Sequence, residues 1–220
     1  MPFCDDALRS QIRSNFEQFE RRAVTEADVR RAAVALVVID EGEGADLPGV
    51  DQPSVWSESA ALLLTRRSQS LRNHPGQWAL PGGRLDGEET FEQTALRETH
   101  EEVDLALPAE RVLGLLDDFR TRSGFAMTPV VVWGGPGLTP HPNPGEVASI
   151  HRIPVAEFMR DDAPMLEATS TSEHPILRMP VGDDYIAAPT AAILYQFIEV
   201  CIRGRATRVA HYEQPEFAWS

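Results

Sequence analysis

Three glutamates, Glu98, Glu101 and Glu102, stand at spacings of three and four residues, which an α-helix stacks on one face. Like charges held that close repel by about a few tenths of a kcal/mol per pair on a bare helix. A hard cation with oxygen ligands turns that repulsion into a binding site, and Mg²⁺ or Mn²⁺ suits such donors. Leu96, Thr99 and Val103 fall on a neighbouring face at helical spacing, which would anchor the helix while the acids stay open to a cleft. Arg97 can reach Glu101, or Glu89 two turns back.

Upstream lie Arg66, Arg67 and Arg72, with His74 close behind. Guanidinium groups are planar, multi-donor forks suited to phosphate, although surface arginines balancing an acidic chain would look the same. His74 could contact phosphate or cap its loop. Glu146, in Asn143-Pro-Gly-Glu146 ahead of a strand, reads as a turn acid. His100 is expected to be solvated, and Trp133, Trp219 and Tyr212 are expected in core or interface.

These groups need elements to hold them. A long helix is predicted from about Glu89 to Val103, after the tight turn that Pro81-Gly82-Gly83 permits. Arg31 to Asp40 is a continuous apolar run rich in β-branched residues, which suits a strand buried on both faces. Ala61 to Arg66 reads as a second strand, with a short segment at Gln77 to Leu80. Val112 to Phe119 and Phe125 to Trp133 read as a hairpin turning near Arg122-Ser-Gly124, and Val147 to Ile153 as another strand. Helices are expected over about residues 5–21 and from Pro189 to Ile202, the latter with Gly204 just past its end. Residues 41–58 read as an acidic surface loop, and the stretch after Ile153 as polar connection. Mixed strands and helices without a repeat indicate an α/β or α+β fold with a mixed sheet.

Composition narrows the chemistry. The formal charge is −14, which argues against a nucleic-acid backbone as partner. All 20 basic residues are arginine, so lysine Schiff bases and lysine phosphate loops are excluded. No stretch approaches the roughly 20 apolar residues that a membrane span requires. The first residues do not read as a signal peptide, so a cytoplasmic location is expected. Cys4 and Cys201 are far apart and expected to be reduced, buried or idle. The length fits one domain over 1–220, with an N-terminal helical extension of about 30 residues and a C-terminal tail over about 205–220. That tail is aromatic and is expected to cover a neighbouring surface or, in a homodimer, a second subunit.

The stretch from Gly83 to Leu105 closely resembles the Nudix box, G-x5-E-x7-R-E-U-x-E-E-x-G-U with U a bulky aliphatic residue. Gly83, Glu89, Arg97, Glu98, Glu101, Glu102 and Leu105 match; Thr99 stands where an aliphatic is usual and Asp104 where glycine is usual. Threonine is nearly isosteric with valine, and aspartate tolerates the left-handed conformation of a helix end. A lone acidic helix is ordinarily a solvated face, but the matching offsets of Gly83, Glu89 and Arg97 favour a functional one. Leu63 to Gly83 further resembles the signature of the coenzyme A pyrophosphatase branch, L-L-T-x-R-[SA]-x3-R-x3-G-x3-F-P-G-G, with Leu80 in place of Phe.

The resemblance implies an α/β/α sandwich around a mixed sheet and Mg²⁺- or Mn²⁺-dependent hydrolysis of a diphosphate linkage in a nucleoside diphosphate conjugate. It implies that Glu98, Glu101 and Glu102, with Gly83, hold metal. Glu101 alternatively activates water, a role open also to Glu146, while Arg97 and Glu89 orient the acids. Arg66, Arg67, Arg72 and His74 would bind substrate. Coenzyme A or a derivative, giving 3′,5′-ADP and 4′-phosphopantetheine, is the expected substrate. ADP-ribose, a dinucleoside polyphosphate or a non-catalytic nucleotide-binding domain are the alternatives.

Overall fold

The computed structural model describes residues 1–170 and 172–215. The chain runs α1 (Asp6–Glu17), β1 (Arg30–Gly42), β2 (Ser57–Arg67), β3 (Trp78–Ala79), β4 (Gly82–Arg84), α2 (Phe91–Val103), β5 (Val112–Leu115), β6 (Phe119–Arg120) and β7 (Phe125–Gly135). It continues with β8 (Val147–Pro154), β9 (Met165–Glu167), β10 (Ile176–Val181), β11 (Asp184–Ala187) and α3 (Thr190–Phe197), the last extended by a π-helical turn over Ile198–Ile202.

The β1 strand organises the fold. It pairs parallel with β7 and antiparallel with β2 and β4, giving a curled mixed sheet whose main path is β3-β2-β1-β7-β5. Because side chains alternate along a strand, β1 serves two cores. Val34, Leu36 and Val38 pack with α1 and α3, while Ala33, Ala35, Val37 and Ile39 pack with α2. The predicted sandwich and the doubly buried strand therefore hold. The helices at either end of the chain share a core with the sheet, with Leu8 and Ile12 of α1 and Ile193 and Phe197 of α3 in one cluster.

Two regions differ from expectation. The strand read over Val112 to Phe119 breaks at residues 116–118, where Asp117 and Asp118 turn inward. Asp118 accepts from Arg21, Val24 and Thr128, and Asp117 accepts from Arg22, Gln196 and Arg208, so both are paired rather than stranded. The connection after Ile153 contains a separate three-stranded sheet, β11-β10-β9. Its strands are short, and those at both edges carry exposed side chains, so alternation is weak there. Trp133 is buried and Tyr212 packs edge-on to Tyr195, as expected of core residues, whereas Trp219 and the tail beyond residue 215 lie outside the described residues. Both cysteines are buried and unbridged. Among the described residues no helix is long and apolar enough to cross a membrane.

Candidate active site

The α2 helix begins on a reciprocal cap: Thr90 Oγ1 accepts from Gln93 N and the Gln93 side chain accepts from Thr90 N. It ends on Asp104, whose φ of 58° supplies the left-handed residue that glycine more often provides. Thr99 is fully buried and its hydroxyl is satisfied by Ala95 O at 2.7 Å, which is how a polar residue fits the core-facing position. Both departures from the family pattern are thus accommodated locally.

The helix presents its acids unequally. Glu102 is buried and Glu98 largely so, whereas the Glu101 side chain is 51% exposed. Carboxylate oxygens of Glu98, Glu102 and Glu146 lie within 4.8 Å of one another, and Glu101 is outside this group. Glu146 arrives by backbone pairing. Asn143 N donates to Glu102 O and His141 N to Val103 O, so the loop before β8 satisfies carbonyls at the end of α2, and Ser68 N donates to Glu146 O. Reading Glu146 as a turn acid describes its local conformation; its position in the cluster comes from these long-range bonds.

Arg97 ties the remaining acids. Its Nε donates to Glu89 Oε1 at 2.8 Å, and Nη1 donates to Glu98 Oε1 at 2.9 Å and to Glu101 Oε2 at 3.1 Å. Glu89 also accepts from Asp86 N and Thr94 Oγ1. The Arg97 guanidinium, with the Asp86 amide and Thr94 hydroxyl, pulls the Glu89 carboxyl down to about 2. Burial pushes Glu98 up against the pull of Arg97. Burial, then the charges of Glu98 and Glu146, push Glu102 up to about 8, opposed by Arg67 and the Gly82 backbone. Carboxylates gathered this closely, with Glu102 buried, Glu98 partly buried and Glu146 exposed, call for positive charge. Three hard oxygen donors converging on one point suit Mg²⁺ or Mn²⁺. Gly83 makes room: a β-carbon there would stand 2.1 Å from Glu98 Oε1.

The arginines before the Pro81-Gly82-Gly83 turn separate, since successive strand residues point to opposite faces. Arg66 lies 3.8 Å over the Trp78 ring and pairs with Asp184 at 2.5 Å, so its charge is already engaged. Arg67 turns toward Glu102 and lines a cavity of about 170 Å³ that also receives His74 and Gly82. Arg67 Nε and His74 Nδ1 are buried there without a hydrogen-bond partner among the described residues. Arg72 is exposed and lines neither this cavity nor the adjoining one of about 220 Å³ beside Arg66. His100 is exposed, as expected.

Comparison with known proteins identifies the family. A Nudix hydrolase NudL of Photorhabdus laumondii is 43% identical over 108 residues, covering 49% of this chain and 58% of that protein. The NudL of Pectobacterium atrosepticum is 37% identical over 149 residues, covering 66% of this chain and 77% of its own. A solved Nudix hydrolase from Alicyclobacillus acidocaldarius superposes with a TM-score of 0.47 at 18% identity, covering 83% of this chain and 95% of that one. The NUDIX domain family model matches residues 29–172, well over half of the chain, with the glutamate helix inside the match, and the chain belongs to the Nudix family.

Proposed function

We propose that the chain hydrolyses the diphosphate linkage of nucleoside diphosphate conjugates, with coenzyme A or a derivative as the preferred substrate, giving 3′,5′-ADP and 4′-phosphopantetheine. The observation that carries the hydrolase reading is the convergence of Glu98, Glu102 and Glu146 within 4.8 Å, beside a cavity into which Arg67 projects. Glu98, Glu102 and Glu146 are the residues that would hold Mg²⁺ or Mn²⁺. Such an ion supplies Lewis-acid neutralisation of charge on the non-bridging phosphate oxygens. Gly83 lets Glu98 approach, and the Glu89–Arg97 pair holds Glu98 and Glu101 in orientation. Glu101, outside the three-carboxylate group and half open to solvent, accepts the proton of the attacking water.

Arg67 and His74 bring to the cavity wall nitrogens that have no hydrogen-bond partner among the described residues, and a phosphate group of the substrate would satisfy them. This supports an anionic substrate; the preference for coenzyme A rests on the arginine pattern from Leu63 to Gly83. The unit proposed to carry the activity is one domain spanning 1–220 rather than the matched 29–172 alone, because helices on both sides of the match share its core. A panel of coenzyme A, dephospho-coenzyme A, ADP-ribose and dinucleoside polyphosphates with Mg²⁺ or Mn²⁺ tests the reading. Fastest release of 3′,5′-ADP from coenzyme A is expected. Faster cleavage of ADP-ribose would replace the substrate, and binding without turnover of any would replace the hydrolase.

A further inference from the structure

The cavity beside the glutamate cluster is not built by the matched family region alone. Its lining includes the β6–β7 turn, through Thr121 and Ser123, the start of α3, through Thr190 and Ile193, and Gln214 near the end of the described chain. Thr190, Ile193 and Gln214 all follow residue 172, where the family match stops.

Gln214 is buried, and its amide bonds to that turn. Its Oε1 accepts from Arg122 N at 3.1 Å and its Nε2 donates to Arg120 O at 3.0 Å. Next to it, the carboxylate of Glu213 pairs with Arg122 at 2.5 Å, and Glu213 N donates to Pro175 O. One side chain therefore acts as an extra strand edge for the turn, flanked by an ion pair. Within the turn, the Thr121 and Ser123 hydroxyls lie 3.0 Å apart, and both residues line the cavity. A tip with no buried apolar side chain of its own would otherwise be among the more mobile parts of the fold.

We infer that Gln214 is a positioning residue: it holds the Thr121–Ser123 wall against the substrate, so that substrate fit in this chain is set partly from beyond the family region. The inference rests on the hydrolase reading of the same cavity. The group admitted there is amphipathic, with an anionic part at Arg67 and His74, hydroxyl contacts at Thr121, Ser123 and Thr190, and an apolar body against Leu80, Met127 and Ile193.

The test uses the full chain, with coenzyme A and ADP-ribose as ligands. Kd is measured by calorimetry in EDTA, and kcat and KM with Mg²⁺, for wild type, Gln214→Met and Ser123→Ala. Gln214→Met keeps the volume and loses the amide bonds to Arg120 O and Arg122 N. It should raise Kd and KM about tenfold with kcat changed no more than about twofold, as expected for about 1.4 kcal/mol of lost pre-organisation. Ser123→Ala alters the wall without touching the staple and should raise KM severalfold. A Gln214→Met protein with lowered Tm but wild-type Kd and KM overturns the inference. If that variant fails to fold, wild-type binding by Ser123→Ala overturns it instead. Binding without turnover by wild type sinks the hydrolase alone, provided that Gln214→Met still weakens binding; no binding of either ligand sinks both.

Discussion

The Glu98 carboxylate rests against the backbone of Gly83 so closely that a β-carbon on residue 83 would come within 2.1 Å of Glu98 Oε1. Gly83 is also paired to Ala33 in the ladder between β4 and β1, so the strand cannot back away without breaking that register. Gly83→Ala should therefore displace the glutamate. We expect Mn²⁺ affinity, read by calorimetry, to fall about tenfold to hundredfold, as for other changes that disorient a metal ligand. Unchanged affinity would remove Gly83 from the site.

Glu102 titrates near 8 in the folded, metal-free chain, above the ordinary 4.5. Between those values the folded state binds more protons than the unfolded one, so stability falls as pH rises through the window. Glu102→Gln removes the titration. In EDTA the variant should gain about 1 to 3 kcal/mol over wild type at pH 8, less than the full linkage because neighbours relax, and little at pH 4. Denaturant melts at the two pH values check this; equal differences at both would contradict it.

The Glu89 carboxyl behaves oppositely, being held down to about 2 by Arg97. Its stabilising contribution is present above about 4.5 and is lost as pH falls toward 2. Glu89→Gln should flatten the acid limb of the stability profile. It should also weaken Mn²⁺ binding about tenfold, because Arg97 then loses the anchor that aims it at Glu98 and Glu101. A melt series from pH 2 to 6 and a Mn²⁺ titration read the two effects separately.

A 3′-phosphate contact distinguishes coenzyme A from other conjugates. Dephospho-coenzyme A lacks the group, and losing one charge-assisted contact costs about 1.5 to 3 kcal/mol, a roughly tenfold to hundredfold drop in kcat/KM. If Arg67 makes that contact, Arg67→Ala should equalise the two substrates; if exposed Arg72 makes it, Arg72→Ala should. Equal rates by wild type would discard the coenzyme A preference and leave the glutamate site standing.

Much of this site was legible because helical spacing is a local property. Glu98 and Glu102 share a face by arithmetic, and the left-handed Asp104 and buried Thr99 follow from residue chemistry. Glu146 was offered as a site carboxylate only by the family resemblance; residue spacing could not place it in the cluster, because its position depends on Asn143 and His141 bonding back to the end of α2, about forty residues earlier. The division of labour between Arg66 and Arg67 was hidden likewise, since Asp184, which engages Arg66, belongs to a small sheet whose short strands carry little periodic signal. Gln214 gave no signal, a lone amide in that tail being indistinguishable from a solvated one.

The central claim is that Glu98, Glu102 and Glu146 hold the catalytic cation. It is tested most directly by Mg²⁺-supported kcat/KM for coenzyme A in wild type and Glu102→Gln, a change that keeps shape and removes ligand charge. We expect a fall of at least about a hundredfold with the fold intact by circular dichroism, and no wild-type turnover once EDTA removes the metal. Near wild-type turnover by Glu102→Gln would contradict it.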